Sequence, residues 1–407
     1  MISLVKYFSL HLSQIKQGGL RIVARKTTNL SLIPIAVILT VIVRILSPIC
    51  LIRIGTLRSN RIGHFTVNTE LYLAKRKLCK SKPLGLDIFY LTEPISNKYL
   101  GEMWKRLLRI NSFAKHVDRI NRNIPGHTRH QINLPSDIDN DGILSKTLPQ
   151  LKFSSDEEIL GQKLLQEMGI PAKSPFVCFQ SRDSSYLKSI FNNHDYTYHT
   201  YRDSKISNCI PAAEALTKRG YYAIRTGYNV KDNLDSKQTM IIDYANEFRS
   251  EFMDIYLASK CSFYFGGGPG NVGLFAIFRK ALARVNVIPY AGVVSWNPTD
   301  IFIPKKLWLN SEHRYMTFKE IFDSNVKNYN SSEDYHKNGI TVTENSASEI
   351  QGLAIEMDDR IKGRWKDTKE NQELQSLFWS LFKSNEQTRI KTRIGTDFLK
   401  NNTQLME

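Results

Sequence analysis

Acidic residues are almost missing from the first 82 positions of this chain. Glu70 stands alone there against 14 Lys and Arg, so that stretch carries +13 of the total net charge of +17. The other 325 residues contribute only +4. A protein that binds nucleic acid along its whole length spreads its charge more evenly, so no nucleic-acid partner is expected. A basic end suits an anionic membrane surface, where each Lys or Arg near the headgroups is worth roughly 1 kcal/mol. Cysteine is scarce and odd in number: Cys50, Cys79, Cys178, Cys209 and Cys261 show no metal-ligand spacing. Cys178 and Cys261 sit in or beside apolar runs and read as small buried hydrophobes, which excludes a disulfide framework or a zinc module. The P-loop spacing G-x-x-x-x-G-K-[ST] fails at the glycine-rich stretch 266–270. The run Asp137-x-Asp139-x-Asp141-Gly142 opens like a calcium loop but lacks the closing Glu, so it reads as a surface turn. No metal site and no cofactor are expected, no Ser/His/Asp arrangement can be picked out, and internal repeats and low-complexity tracts are missing.

What is present is an α/β rhythm. The 407 residues suit two ordinary domains, and 42% hydrophobic with 23% charged residues is enough to bury a sizeable core. Residues 49–54 and 86–91 read as strands, each followed by a helix, the second at about 97–110. Residues 121–155 are irregular. A helix over 155–168 ends at Gly169 with Pro171 just beyond. The pattern then repeats. Strands fall at 176–179, 221–225, 240–243, 261–265 and 283–287. A helix at 210–219 stops at Gly220, and another carries Phe248, Phe252, Ile255 and Ser259 on one face. Alternation of this kind predicts parallel sheets. The expected organisation is a basic, apolar membrane-associating segment over 1–48, an N-terminal Rossmann-like domain over 49–168, a C-terminal Rossmann-like domain over 169–385 and a tail over 386–407.

The most apolar stretch is 31–52. Its length is close to the roughly 20 residues of a bilayer span, but Arg44 and Pro48 interrupt it, and only 13 residues precede Arg44. A helix lying in the membrane plane and a true span both stay open, with a soluble core helix as a third reading. No small-residue cleavage site marks it as a signal peptide.

Four places carry candidate chemistry. The stretch from Phe263-Tyr264-Phe265 through Gly266-Gly267-Gly268-Pro269-Gly270-Asn271 into Val272 reads as strand, glycine turn and helix start. Such a unit offers backbone N–H groups to a phosphate, with Gly268, Gly270 and Asn271 nearest the helix; the competing reading is a tight turn with no ligand. Gln180-Ser181-Arg182-Asp183 follows the strand at 176–179. Ligands of open α/β sheets sit at the carboxyl ends of strands, which places Arg182 to bind an anion, unless it merely pairs with Asp183 at the surface. The segment 194–203, His-Asp-Tyr-Thr-Tyr-His-Thr-Tyr-Arg-Asp, could stack a base or sugar and hold phosphate through Arg202, or be an ordinary polar loop. His64, in the loop Gly55–Phe65 after the first strand, has the side chain suited to a general base near neutrality, with Glu70 two turns on to orient or replace it. A hydrogen-bonded loop histidine is the alternative.

These residues resemble a known family. Tandem Rossmann-like halves facing a cleft, with a histidine in the first loop and a glycine loop in the second half, look like the two-domain GT-B glycosyltransferases. More closely, Arg61-Ile62-Gly63-His64-Phe65 with Asn68-Thr69-Glu70-Leu71-Tyr72-Leu73, the segment Phe176 to Leu187, Ile241 to Asn246, and Phe302 to Trp308 resemble an uncharacterised bacterial family of GT-B-type glycosyltransferases, over about residues 31–385. Looser likenesses run to GT-B fucosyltransferases at 176–183 and to the donor loop of heptosyltransferases at 263–280. The resemblance implies a metal-independent, inverting enzyme fed by a nucleotide-sugar donor. Arg182, Asp183, Arg202, Gly268, Gly270 and Asn271 would hold the donor, and His64 or Glu70 would be the base. The basic, apolar first segment would hold such an enzyme, peripherally or by a single anchor, at the cytoplasmic face of the inner membrane, with a glycan or lipid-linked acceptor and a place in cell-surface polysaccharide or glycolipid assembly. Gln180 stands where these families tend to have His, and Gly266-Gly267-Gly268-Pro269 where a Thr or Ser is expected. A non-catalytic nucleotide-sugar-binding or scaffold protein and a nucleotide-sugar epimerase are the rival readings.

Overall fold

The computed structural model describes residues 31–79, 85–183, 197–268, 270–292, 296–381 and 392–407. They fall into two compact units, each with its own parallel sheet. The first takes the described parts of 1–58, 80–95 and 104–134. Its strands are β1 (Leu51–Leu57), β2 (Gly85–Leu91), β3 (Arg109–Ile110) and β4 (Gln131–Ile132), in the order β3-β2-β1-β4. β1 and β2 run in full register from Leu51 beside Gly85 to Leu57 beside Leu91. At the matched pair Arg53 and Asp87, the guanidinium donates twice to the carboxylate, at 2.8 and 2.9 Å, which pins that register. The helix Ala114–Asn121 covers the sheet with Ala114 and Val117 against Ile54 and Tyr90.

The second unit takes 59–79, 96–103 and the described parts of 135–407. Seven parallel strands form its sheet: β5 (Phe176–Gln180), β6 (Tyr222–Arg225), β7 (Ile241–Ile242), β8 (Phe263–Gly266), β9 (Ala281–Val287), β10 (Ile301–Pro304) and β14 (Arg393–Ile394). The order is β14-β10-β9-β8-β5-β6-β7. Strands that are apolar along their whole length, such as Phe263-Tyr264-Phe265, fit a sheet covered on both faces. A small antiparallel sheet of β11 (Lys306–Leu309), β12 (Arg314–Tyr315) and β13 (Ile340–Thr343) accompanies it. β9 is buried throughout, so its charged Arg284 needs company: Asp300 lies within electrostatic reach and accepts backbone N–H bonds from Leu282, Trp296 and Asn297. The helix Ser155–Glu167 starts with a reciprocal cap between Ser154 and Glu157 and stops at Gly169, which takes the left-handed φ of +80°.

Several expected boundaries move. The apolar segment becomes a 13-residue helix, Ile33–Ile45, with β1 as the next element. The helix expected at 97–110 is Lys98–Lys105, because β3 claims Arg109 and Ile110. Phe248 lies outside the helix Glu251–Lys260, whose cap is Ser250; it is exposed instead. His64 is not in a loop: the helix Ile62–Leu78 begins two residues earlier.

Candidate functional site

The strand order places the site. From β5 the chain builds outward one way through β6 and β7, and the other way through β8, β9 and β10. The direction reverses between β5 and β8, and the crevice at the carboxyl ends of such a pair is where open α/β sheets bind ligands. β5 ends at Gln180 and leads into Ser181, Arg182 and Asp183; β8 ends at Gly266 and leads into the glycine loop.

The glycines there have distinct reasons. Gly266 takes φ +139°, and a Cβ on it would run into the carbonyl oxygen of Gln180. Gly267 donates its N–H to that same carbonyl (3.0 Å), and its own oxygen accepts from the buried Tyr264 hydroxyl (2.9 Å). That N–H is therefore spent. Gly268 has open space where a Cβ would stand. Gly63, Gly270 and Gly273 serve packing: a Cβ on Gly63 would lie 3.0 Å from the oxygen of Gly270, one on Gly270 would come within 3.3 Å of the Ile62 side chain, and one on Gly273 would strike Thr66. The helix Val272–Ile277 thus lies close against the start of Ile62–Leu78, which brings His64 beside the glycine loop. Asn271 donates its amide to the Gln180 side chain, while its Oδ1 is buried with no hydrogen-bond partner. Pro269 lies outside the described residues.

Cations converge on the same crevice. Arg182 is partly buried and donates to the carbonyl of His199 at 3.2 Å; burial first, then the charge of Arg202, lower its pKa. Arg202 bonds the hydroxyl of Tyr201 at 2.8 Å, in the short turn Thr197–Arg202. His199 is pushed down to about 4 by burial, then by Arg202, Arg182 and Arg61 in that order. Lys305 is 2% exposed and donates to the carbonyl of Asp203 at 2.5 Å. Burial pushes it down to about 8 against the pull of Glu344 and Asp203, and Arg182 adds to the fall. Burial is the main cause of both depressions; the guanidiniums of Arg202, Arg182 and Arg61 add to that of His199, so a bound anion would offset part of it. Asp183 accepts the N–H of Lys231 at 3.1 Å, and its charge also acts on Arg182, opposing the fall of that pKa.

Sequence reasoning placed Arg182 and Arg202 but gave no part to Arg61, His199 or Lys305 in the cationic group. Lys305 was the most legible of these, a charged residue closing the apolar run Phe302-Ile303-Pro304. Of the segment 194–203, residues 194–196 lie outside the described residues.

His64 has a buried Nδ1 without a hydrogen-bond partner. Glu70 is fully buried, ion-paired to Arg279 at 2.7 Å and accepting the N–H of Gln150 at 3.1 Å. Burial raises its pKa, with Arg279 opposing. Asp139 spends both carboxylate oxygens on the N–H groups of Ile143 (2.8 Å) and Leu144 (2.7 Å), which makes 137–142 a capped turn.

The chain matches no protein-family model, and no curated protein sequence matches it. Among solved structures it is similar to E. coli ADP-heptose LPS heptosyltransferase II, at 11% identity over 62% of this chain and 90% of that one, with a TM-score of 0.38. A glycosyl transferase family 9 protein from Veillonella parvula matches at 8% identity over 63% and 86%, TM-score 0.38. The iron-containing dodecameric glycosyltransferase TibC from enterotoxigenic E. coli matches at 9% over 77% and 76%, TM-score 0.37. Superpositions this loose decide nothing about activity or substrate, which rest on the residues themselves.

Proposed function

We propose that the chain is a glycosyltransferase that moves a sugar from a nucleotide-sugar donor to a glycan or lipid-linked acceptor at a membrane face. The observation that carries this reading is Arg182 just past the carboxyl end of β5, with Arg202 and Lys305 in electrostatic reach of it and Arg61 in reach of His199. A nucleoside diphosphate is the leaving group of such a transfer. Its charge grows as the bond to the anomeric carbon breaks, and preorganised cations act where charge develops. Arg182 with its planar fork suits the phosphate oxygens. The acceptor hydroxyl attacks the anomeric carbon from the opposite face, its proton passes to His64, and the nucleoside diphosphate departs with the bonding electrons, so the configuration inverts. Glu70 acts through position rather than proton transfer: it is fully buried, out of reach of an acceptor hydroxyl, and its pair with Arg279 ties its helix to the turn just after Val272–Ile277.

A second reading, a nucleotide-sugar-binding protein without turnover, is favoured by the hydrogen bond that ties up Gln180 with Asn271. Calorimetry with a panel of nucleotide sugars tests both. Arg182→Ala should weaken binding of the preferred donor by about 10- to 100-fold, the worth of a charge-assisted hydrogen bond. Wild-type protein that binds no nucleotide sugar or nucleoside diphosphate would refute the site. Tight binding with neither transfer nor donor hydrolysis would leave the second reading.

A further inference from the structure

The helix Ile33–Ile45 is held to its unit by one narrow stripe. Ala36 and Thr40 are its buried residues, and Thr40 Oγ1 donates to the carbonyl of Ala36 at 2.7 Å and lies 3.5 Å from that of Val117. One turn further, the Arg44 guanidinium donates to Asn121 Oδ1 (2.7 Å) and to the carbonyls of Pro125 (2.8 Å), Ile124 (3.2 Å) and Asn121 (3.4 Å). Positions 36, 40 and 44 lie on one helical face. The remaining surface is a ridge of large aliphatics, with Ile38 60% and Ile45 69% exposed, Ile35, Val41 and Ile42 beside them, and Ile49 80% exposed in the turn beyond. An apolar ridge of this size is costly in water and calls for a cover.

Length and charge identify the cover. Thirteen residues rise about 20 Å, against a hydrocarbon core of about 30 Å. Among the described residues no helix is long and apolar enough to cross a membrane. A crossing would also carry Arg44 and the polar groups that hold it into hydrocarbon, where each is costly. The adjoining sequence is nearly free of acid, with 14 Lys and Arg and one Glu in residues 1–82. Such charge complements an anionic lipid surface and gives a neutral apolar partner no advantage.

We propose that the helix Ile33–Ile45 lies flat in the headgroup boundary of an anionic bilayer, aliphatic ridge downward, clamped to its unit through Ala36, Thr40 and Arg44. Of the two membrane readings left open by the sequence, this is the in-plane one, and it does not depend on the sugar chemistry. The test is flotation of the full chain with vesicles of phosphatidylglycerol and phosphatidylcholine, beside vesicles of phosphatidylcholine alone. The wild type should float with the anionic vesicles, and less of it should float as salt rises and screens the lysines and arginines. The double variant Ile38→Glu with Ile45→Glu should lose at least about tenfold in partitioning while keeping its melting temperature, because both side chains point away from the clamp. Three results overturn the proposal: a double variant that floats as well as wild type, equal binding to neutral vesicles, or anionic binding that salt leaves unchanged. A wild type that ignores both vesicles and forms dimers that the double variant abolishes also overturns it, with a second copy of the chain as the cover.

Discussion

Replacing Arg279 by methionine isolates the tie that holds the His64 helix in place. Arg279 follows the helix Val272–Ile277 and reaches Glu70 in the middle of Ile62–Leu78 at 2.7 Å, while also donating to the carbonyls of Leu144 (2.8 Å), Thr147 (3.0 Å) and Leu148 (3.2 Å). Glu70 is fully buried and the Arg279 side chain is 14% exposed, so solvent screens this pair little. Methionine removes the charge and leaves a buried carboxylate with only the Gln150 N–H. Stranding one partner of a buried pair costs about 3–5 kcal/mol. At about 2 °C per kcal/mol for a large domain, the melting temperature should fall by roughly 6–10 °C. The pH dependence has a definite sign. Burial raises the folded pKa of Glu70 above its ordinary 4.5, so the folded state holds this proton more tightly than the unfolded chain does. The group's contribution to stability is then fullest below 4.5 and is lost as pH rises through the folded value. Arg279 opposes the rise, so removing it extends the window upward, and the variant's deficit should be smaller at pH 5 than at pH 8. Adding Glu70→Gln to the variant removes the stranded charge and should recover much of the loss. Thermal melts of wild type, both single variants and the double variant measure this. An Arg279→Met cost under about 1 kcal/mol, or a double variant no better than Arg279→Met, would refute the reasoning.

Two further outcomes follow from the same unit. His199 should titrate near 4 in an NMR experiment on the free protein, neutral at pH 7; its folded value lies below 6.5, so its stabilising contribution is present above 6.5 and is lost as pH falls toward 4. A bound nucleoside diphosphate should raise that value by offsetting Arg202, Arg182 and Arg61, and an unchanged His199 in the saturated complex would show that the anion binds elsewhere. Gly273→Ala should destabilise by about 1–3 kcal/mol, since its methyl meets Thr66 and comes within 3.1 Å of Val67; a melt within experimental error of wild type would refute the packing reason for this glycine.

Much of the frame is legible in the residues alone. Alternating apolar runs and helix stops at Gly169 and Gly220 are local signals, because a left-handed cap or a buried strand is decided within a few residues. Short elements are less legible. The two-residue strands β3 and β7 carry too little pattern to set their ends, and the shift that moves His64 from a loop into a helix turns on which residue leaves the helical ladder first.

The sequence by itself determined the α/β class, the basic and apolar first segment, and Arg182 at a strand end, since each rests on composition or short-range periodicity. Only the tertiary structure decided the strand order that sets the crevice between β5 and β8, because pairing joins residues as far apart as Gln180 and Gly266. It alone gathered Arg61, His199 and Lys305 beside Arg182, a matter of electrostatics across long sequence separations. It also divided the glycines by purpose: Gly266 for a strained backbone, Gly270 and Gly273 for the close approach of two helices, and Gly268 with open space before it.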